Sequence, residues 1–318
     1  LLDGRPYGGL KGVIVVQRTD ASPDGSSGEW TVYLSPGRHT LIFQAETTVS
    51  KGLSAPLEVE VVTTSADAED ARLPDLYVLA IGIQDYPGPL RLNYAANDAK
   101  SIATTFQDVG EPLFRSIDVQ LLTDQEATRR KILSGLSWLR REMTQRDVAV
   151  FFFSGHGARD ETGAFHLVPV DGEPDDLLST GIVASQFKDA LAAIPGRVLV
   201  LLDACHAGAA GGDKRKAVYV MADDLIRDLA TDDYGVIVMC SSMGREYSME
   251  SDRHQQGYFT VALLEALNGK ADTNQDQLVY LTEIDAYISD RVKTLTQGMQ
   301  HPVTSKPTTI RSFPISKP

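Results

Sequence analysis

The 318-residue sequence is poor in several features, and each shortage removes a class of explanation. It has two cysteines, Cys205 and Cys240, too few for a disulfide framework. Both follow apolar runs, and a thiol that reacts must stay reduced, which favours a reducing, cytoplasmic compartment. No run of 18 or more apolar residues occurs, so no segment reads as a membrane span and no membrane partner is expected. Positive charge is also short: 30 Lys and Arg face 43 Asp and Glu, a net charge of −13. That balance disfavours nucleic acid, whose phosphates need a basic surface. There are no internal repeats. The chain starts at Leu1 and not at methionine, so an upstream module is expected, with any signal peptide beyond it.

What is present divides in two. Residues 1–64 carry short alternating runs, "GVIVVQR", "EWTVYLS", "RHTLIFQAE" and "LEVEVV", between the turn-rich stretches "SPDGSSG", "PG" and "SKGLSAP". They predict a small β-sandwich module of immunoglobulin-like type. It shows no catalytic cluster, and His39 reads as a surface residue. Residues 65–74 are polar and acidic and read as a linker. From 75 to 318 apolar strands alternate with amphipathic helices, beginning with "LYVLAIGI" and "NYAANDAKSIATTFQDV". This order predicts an α/β domain with a mostly parallel sheet flanked by helices.

Ligands of such sheets bind beyond the carboxyl ends of the strands. Two stretches therefore stand out, "VAVFFFSGHGARD" (148–160) and "LVLLDACHAG" (199–208). Each is an apolar strand followed by small and polar residues, which predicts that His156 and Cys205 converge at one sheet edge. A lone strand-end cysteine is more often a small buried hydrophobe, and a lone histidine beside glycines a turn residue. Two such sites in one α/β sheet fit a nucleophile and its base better. Gly155 and Gly157 leave room for a substrate backbone, and the N–H groups of Gly157 and Cys205 are candidate oxyanion donors. Asp203, two positions before Cys205, shares its side of the strand and would attract a basic side chain. Cys240 reads as core. His166 and His206 lack a carboxylate or cysteine at metal spacing, so zinc is not expected.

The stretches "FFFSGHG" and "LLDACHAG" resemble the catalytic blocks of the caspase-like cysteine peptidases, in particular the metacaspase and bacterial orthocaspase branch. In caspases the histidine lies about 50 residues upstream of the nucleophile. "LYVLAIGIQDY", "SSMGREYSMES…GYFTVALLEAL" and "HPVTSKPTTI" extend the resemblance over about 76–310. It implies a caspase-like fold, His156 as acid/base and Cys205 as nucleophile. In that branch an aspartate of the first helix, the serine of "SGHG" and the aspartate before the nucleophile line a basic-specific pocket. The matching residues are Asp98, Ser154 and Asp203, and protein or peptide substrates with Arg or Lys at the cleavage position follow. The resemblance also implies a large part to about residue 211, a small part after it, and a bacterial cytoplasmic setting. No organic cofactor is implied.

Two further readings stay open. The glycine-rich loop "AAGGDKRKAV" (209–218) carries Lys214, Arg215 and Lys216, either as self-cleavage positions or as a solvated basic loop. "DTNQDQLVYLTE" (272–283) places Asp272, Asn274, Asp276 and Glu283 at calcium-loop spacing, with Gln277 where such a loop has glycine. The alternative is an acidic helix connection. Asp171, in "VDGEPDD", falls where the resemblance puts part of a calcium site, while the later aspartates of that site are missing. Two rivals complete the expectations: a catalytically silent caspase-like scaffold, and a peptidase of acidic specificity.

Overall fold

Strand β1 (Leu76–Gly82) is buried at every position, as an unbroken apolar run requires of a strand covered on both faces. The computed structural model describes residues 1–2, 15–18, 28–32, 34, 37–46, 49–61, 73–111, 113–205, 236–242, 246, 248–307, 310 and 312–318. Within them, β2 (Ile117–Thr123), β3 (Val148–Arg159), β4 (Phe165–Leu167) and β5 (Ile182–Val183) join β1 in one sheet. Strands β6 (Arg197–Cys205), β7 (Val236–Cys240) and β8 (Val303–Ser305) complete its eight strands. The order is β2-β1-β3-β6-β7-β8, parallel except for β8. Strands β4 and β5 continue antiparallel from the far end of β3.

Side chains of the central strands alternate between two cores, as the strand period of two dictates. Leu76, Val78 and Ala80 of β1, with Val148, Val150 and Phe152 of β3, meet three helices on one face. These are α1 (Ala95–Gly110), which supplies Ile102 and Phe106, and two helices that follow later in the chain. On the other face, Leu79, Ile81, Phe151 and Phe153 pack on α2 (Arg129–Glu142) and α3 (Ala184–Ala192). The later pair on the first face is α4 (Tyr258–Glu265) and α5 (Leu281–Leu295). Each fully buried Phe contributes roughly 1.5–3 kcal/mol. Helix α2 shows how the sequence sets these layers: Ile132, Leu136 and Leu139 recur at helical spacing and are buried. The Thr128 hydroxyl caps its start, accepting the Lys131 N–H at 3.3 Å.

The strands run further than the apolar runs suggest. His156 lies inside β3 and Cys205 is the last residue of β6, so neither sits in a turn after its strand. Strand β3 continues because β4 takes up its far end, pairing Leu167 with Gly157 and Phe165 with Arg159. Strand β6 continues because its parallel ladder to β3 lasts until Cys205.

In residues 1–61 the described strands form three antiparallel pairs: Val15–Arg18 with Gly28–Thr31, Gly37–Leu41 with Leu57–Val61, and Gln44–Glu46 with Lys51–Leu53. Among the described residues each pair is its own two-stranded sheet, and no larger immunoglobulin-like sheet forms there. Two expectations change. "SKGLSAP" contains a strand, because Lys51–Leu53 folds back on Gln44–Glu46. His39 is only 7% exposed, being a paired residue of the ribbon opposite Val59. Residues 65–72 of the expected linker lie outside the described residues. No helix among the described residues is long and apolar enough to cross a membrane.

Candidate active site

The last three rungs between β3 and β6 set Asp203 opposite Ser154, Ala204 opposite Gly155, and Cys205 opposite His156. Adjacent strands lie about 4.8 Å apart, so residues remote in sequence become neighbours at the carboxyl ends of two central strands. This is the edge at which α/β sheets bind ligands.

The imidazole of His156 is fully buried. Its Nε2 lies 2.6 Å from the carbonyl oxygen of Leu90. A carbonyl only accepts, so Nε2 carries the proton, and Nδ1 is the basic nitrogen of the neutral ring. The Tyr86 ring packs against the imidazole with centroids 4.4 Å apart. Both partners come from the segment after β1, whose "YPGPL" bends through a short turn at Gly88–Leu90, with Gly88 at a φ of 59°. Alternation along β3 turns the Gly157 N–H to the edge opposite that of His156, where β6 ends at Cys205.

Next to this pair, the fold gathers Asp98, Ser154 and Asp203. Asp98 enters from the first turn of α1 and accepts the Ser154 hydroxyl at 3.2 Å and the Gly257 N–H at 3.0 Å. Asp203 accepts hydroxyls from Ser248 and from Thr260, the latter at 3.1 Å. Both carboxylates are at most 2% exposed. Among the described residues, their hydrogen-bond partners are hydroxyls and a backbone N–H, and none is a Lys or Arg. Buried carboxylates without a counter-ion are costly to ionise. Burial pushes Asp98 well above the usual carboxylate range, and the neighbouring Asp203 adds to the rise. Asp203 is also raised by burial, against the opposing pull of Ser248, Thr260 and Ser241. Glu250, hydrogen-bonded to the Asn93 and Tyr94 N–H groups, raises both further.

Gly257 closes the space between the two carboxylates. A Cβ there would stand 2.6 Å from Asp203 Oδ2 and 3.3 Å from Asp98 Oδ2. Gly257→Ala is therefore expected to cost about 1–3 kcal/mol of stability by overpacking. Thermal unfolding of the variant against the parent reads that cost.

Other candidates fall elsewhere. Side chains at Lys214, Arg215 and Lys216, and His206, lie outside the described residues. Cys240 is buried in β7, opposite Leu202 of β6. His166 does have a carboxylate partner, contrary to its sequence spacing: the hairpin from β3 to β4 brings Asp160 Oδ2 to 3.1 Å from its Nε2. In the acidic loop, Asp272 accepts the N–H groups of Asp276 and Gln277 at 3.2 and 2.9 Å. Asn274 and Asp276 accept those of Asp276 and Leu278 at 2.9 and 2.8 Å. Glu283 accepts the N–H groups of Thr273 and Tyr280 at 3.1 and 3.0 Å, capping α5. Asp171 accepts the Arg129 N–H at 2.8 Å, at the start of α2. Among the described residues no group of three or more His, Cys, Asp or Glu is gathered to hold a metal ion. The oxygens of the 272–283 loop accept N–H groups of their own segment, and Asp171 accepts one from the start of α2.

Sequence reasoning missed Tyr86, the Leu90 carbonyl, Ser248, Gly257 and Thr260. Local sequence says little of their roles, because they reach the site from three segments: Tyr86 and Leu90 after β1, Ser248 after β7, and Gly257 and Thr260 at the start of α4. A glycine directly before the helical run "YFTVALLEAL" is the one hint that backbone must pass close to something there.

Residues 76–314 match the family model for the caspase domain. Among curated proteins, the chain is 29% identical over 145 residues to "Metacaspase-1" of Plasmodium falciparum, covering 41% of this chain and 23% of that one. It is 27% identical over 181 residues to "Metacaspase-3" of Trypanosoma brucei brucei, covering 48% and 49%. It is 26% identical over 148 residues to "Metacaspase-1" of Scheffersomyces stipitis, covering 42% and 36%. The matches thus span between about a quarter and half the length of these relatives. In fold, the chain is similar to a crystal structure of a Geobacter sulfurreducens protein, with a TM-score of 0.54 at 17% identity, covering 74% of this chain and 94% of that one.

Proposed function

The chain belongs to the caspase-domain family, and from that premise we propose that it is a cysteine endopeptidase cutting proteins after Arg or Lys. The Cys205 thiolate attacks the carbonyl carbon of the scissile bond, forming a C–S bond. The N–H groups of Gly157 and Cys205 hold the oxyanion. His156 protonates the departing amine as the C–N bond breaks, leaving an acyl-enzyme. Water then attacks, His156 takes its proton, the C–S bond breaks, and the thiolate is released with the new carboxyl end. These steps need no organic cofactor.

The observation that carries this reading is the register of β3 and β6, which sets His156 and Cys205 side by side beside a carboxylate pair that, among the described residues, has no Lys or Arg partner. A guanidinium or ammonium reaching Asp98 and Asp203 would supply a counter-charge, whereas an aspartate would add a third buried negative charge. We also assign Lys214, Arg215 and Lys216 as self-cleavage positions, since each satisfies the same preference. Paired fluorogenic peptides that differ only in Arg or Asp at the cleavage position test the specificity under reducing conditions. The Arg peptide should be turned over at least about 10²-fold faster, the factor expected for a pocket whose buried charges are otherwise left unpaired. Faster cleavage of the Asp peptide would overturn the pocket, and no cleavage of either would favour a silent scaffold.

A further inference from the structure

Just past the ladder between β3 and β4, which ends at Leu167 and Gly157, one rung is not made strand to strand. His156 and Val168 face each other on this edge, and the Val168 N–H donates to the His156 carbonyl at 2.9 Å. An antiparallel hydrogen-bonded pair would return the bond from the His156 N–H to the Val168 carbonyl. Instead, the Tyr86 hydroxyl stands between them: it accepts the His156 N–H at 3.0 Å and donates to the Val168 carbonyl at 2.7 Å. The place is a seam. Along this edge of β3 the last bond from the β1 side is Ile83 N–H to the Ser154 carbonyl, at 2.9 Å, and β4 takes over from Gly157 onward.

Tyr86 is 4% exposed and touches His156 once more, and its neighbour Gly155. Its ring lies 4.4 Å from the imidazole, and its hydroxyl fills the space above Gly155, where a Cβ would stand 2.7 Å from that oxygen. Four residues on, Leu90 presents its carbonyl to His156 Nε2 at 2.6 Å. One short segment therefore grips His156 by its backbone, its ring face and its protonated nitrogen.

We propose that Tyr86 is the positioning residue for the acid/base histidine: its hydroxyl, inserted into the His156–Val168 rung, sets where the imidazole stands. The proposal rests on His156 acting as acid/base. A hydrogen-bonded ring held at one tautomer delivers its proton along a fixed line, and displacement of a catalytic group by about 1 Å costs roughly 10²-fold in rate. Tyr86 reaches the reaction only through His156.

Tyr86→Phe keeps the ring and removes the bridging oxygen; Tyr86→Leu removes both. On an Arg peptide, kcat should fall about tenfold in the first and about 10²-fold in the second, with KM within about twofold. The limb of the kcat/KM pH profile that reports the imidazole should move in both. Nitrogen NMR of the histidines should show the Nε2–H form of His156 losing population. Ser316→Ala removes another buried hydroxyl bond, to the Leu267 carbonyl at 2.9 Å, and controls for general loss of stability; its kcat and profile should stay as in the parent. Unchanged kcat and pH limb in Tyr86→Leu, or a loss confined to KM, overturns the positioning role while leaving the peptidase intact. Full turnover by His156→Ala overturns the acid/base assignment and this proposal with it.

Discussion

Cys205→Ala is expected to lower kcat/KM for an Arg peptide by about 10⁴-fold or more, with the fold unchanged. In the proposed mechanism only the sulfur forms the acyl-enzyme, and losses of this order or larger follow removal of a nucleophile that works as a unit with its base. The same variant tests the loop at 209–218. Intact-mass measurement should show the parent chain cut after Lys214, Arg215 or Lys216, and the variant in one piece. A variant cut as fully as the parent would mean that another protease does the cutting. His156→Ala should lose nearly as much as Cys205→Ala, and the double variant little more than either, because the two act in one step.

The second large effect concerns the carboxylates. Asp203→Asn keeps the size of the side chain and removes one charge from the pair proposed to receive the cation. Breaking one partner of a buried ion pair costs roughly 3–5 kcal/mol, which is about 10²–10⁴-fold in kcat/KM for Arg or Lys substrates. A matched peptide with a neutral glutamine at the cleavage position should lose far less. Equal losses on both peptides would show that Asp203 supports the strand and not the selection. Acidity should imitate the variant. Burial raises the proton affinity of Asp98 and Asp203 in the free pocket, while a bound cation favours the charged form. The pocket is therefore fully charged only above these raised values, and it loses affinity as pH falls through them. KM for the Arg peptide should rise by up to tenfold per pH unit in that acidic window, with no matching rise for the glutamine peptide. A pH-independent ratio of the two KM values would sink the shared-carboxylate pocket.

Much of the chemistry could be read in the linear chain. The apolar runs of β1, β3 and β6 are long, uniform and bounded, so their pairing in a buried parallel sheet follows from hydrophobic burial alone. Strand ends in such a sheet share one edge, which brings "SGHG" and "DAC" together without any knowledge of coordinates. The N-terminal segment was less legible. Its strands are short, Leu57–Val61 is largely exposed, and "SKGLSAP" reads as a turn although Lys51–Leu53 pairs with Gln44–Glu46. The acidic loop at 272–283 shows another limit: spacing counts oxygens but says nothing of where they point, and here they point at their own backbone.

The amino-acid order by itself determined the sheet, the layering of helices on it, and the edge on which His156 and Cys205 stand, because periodicity and burial act locally along the chain. Tertiary structure alone decided the rest: the Leu90 carbonyl that places the imidazole proton, the Tyr86 hydroxyl in the broken rung, and Gly257 between two carboxylates. These contacts join segments whose separation in the chain carries no pattern. They exist only once packing has excluded water, and hydrogen-bond geometry and desolvation are properties of that packed state and not of any one stretch of sequence.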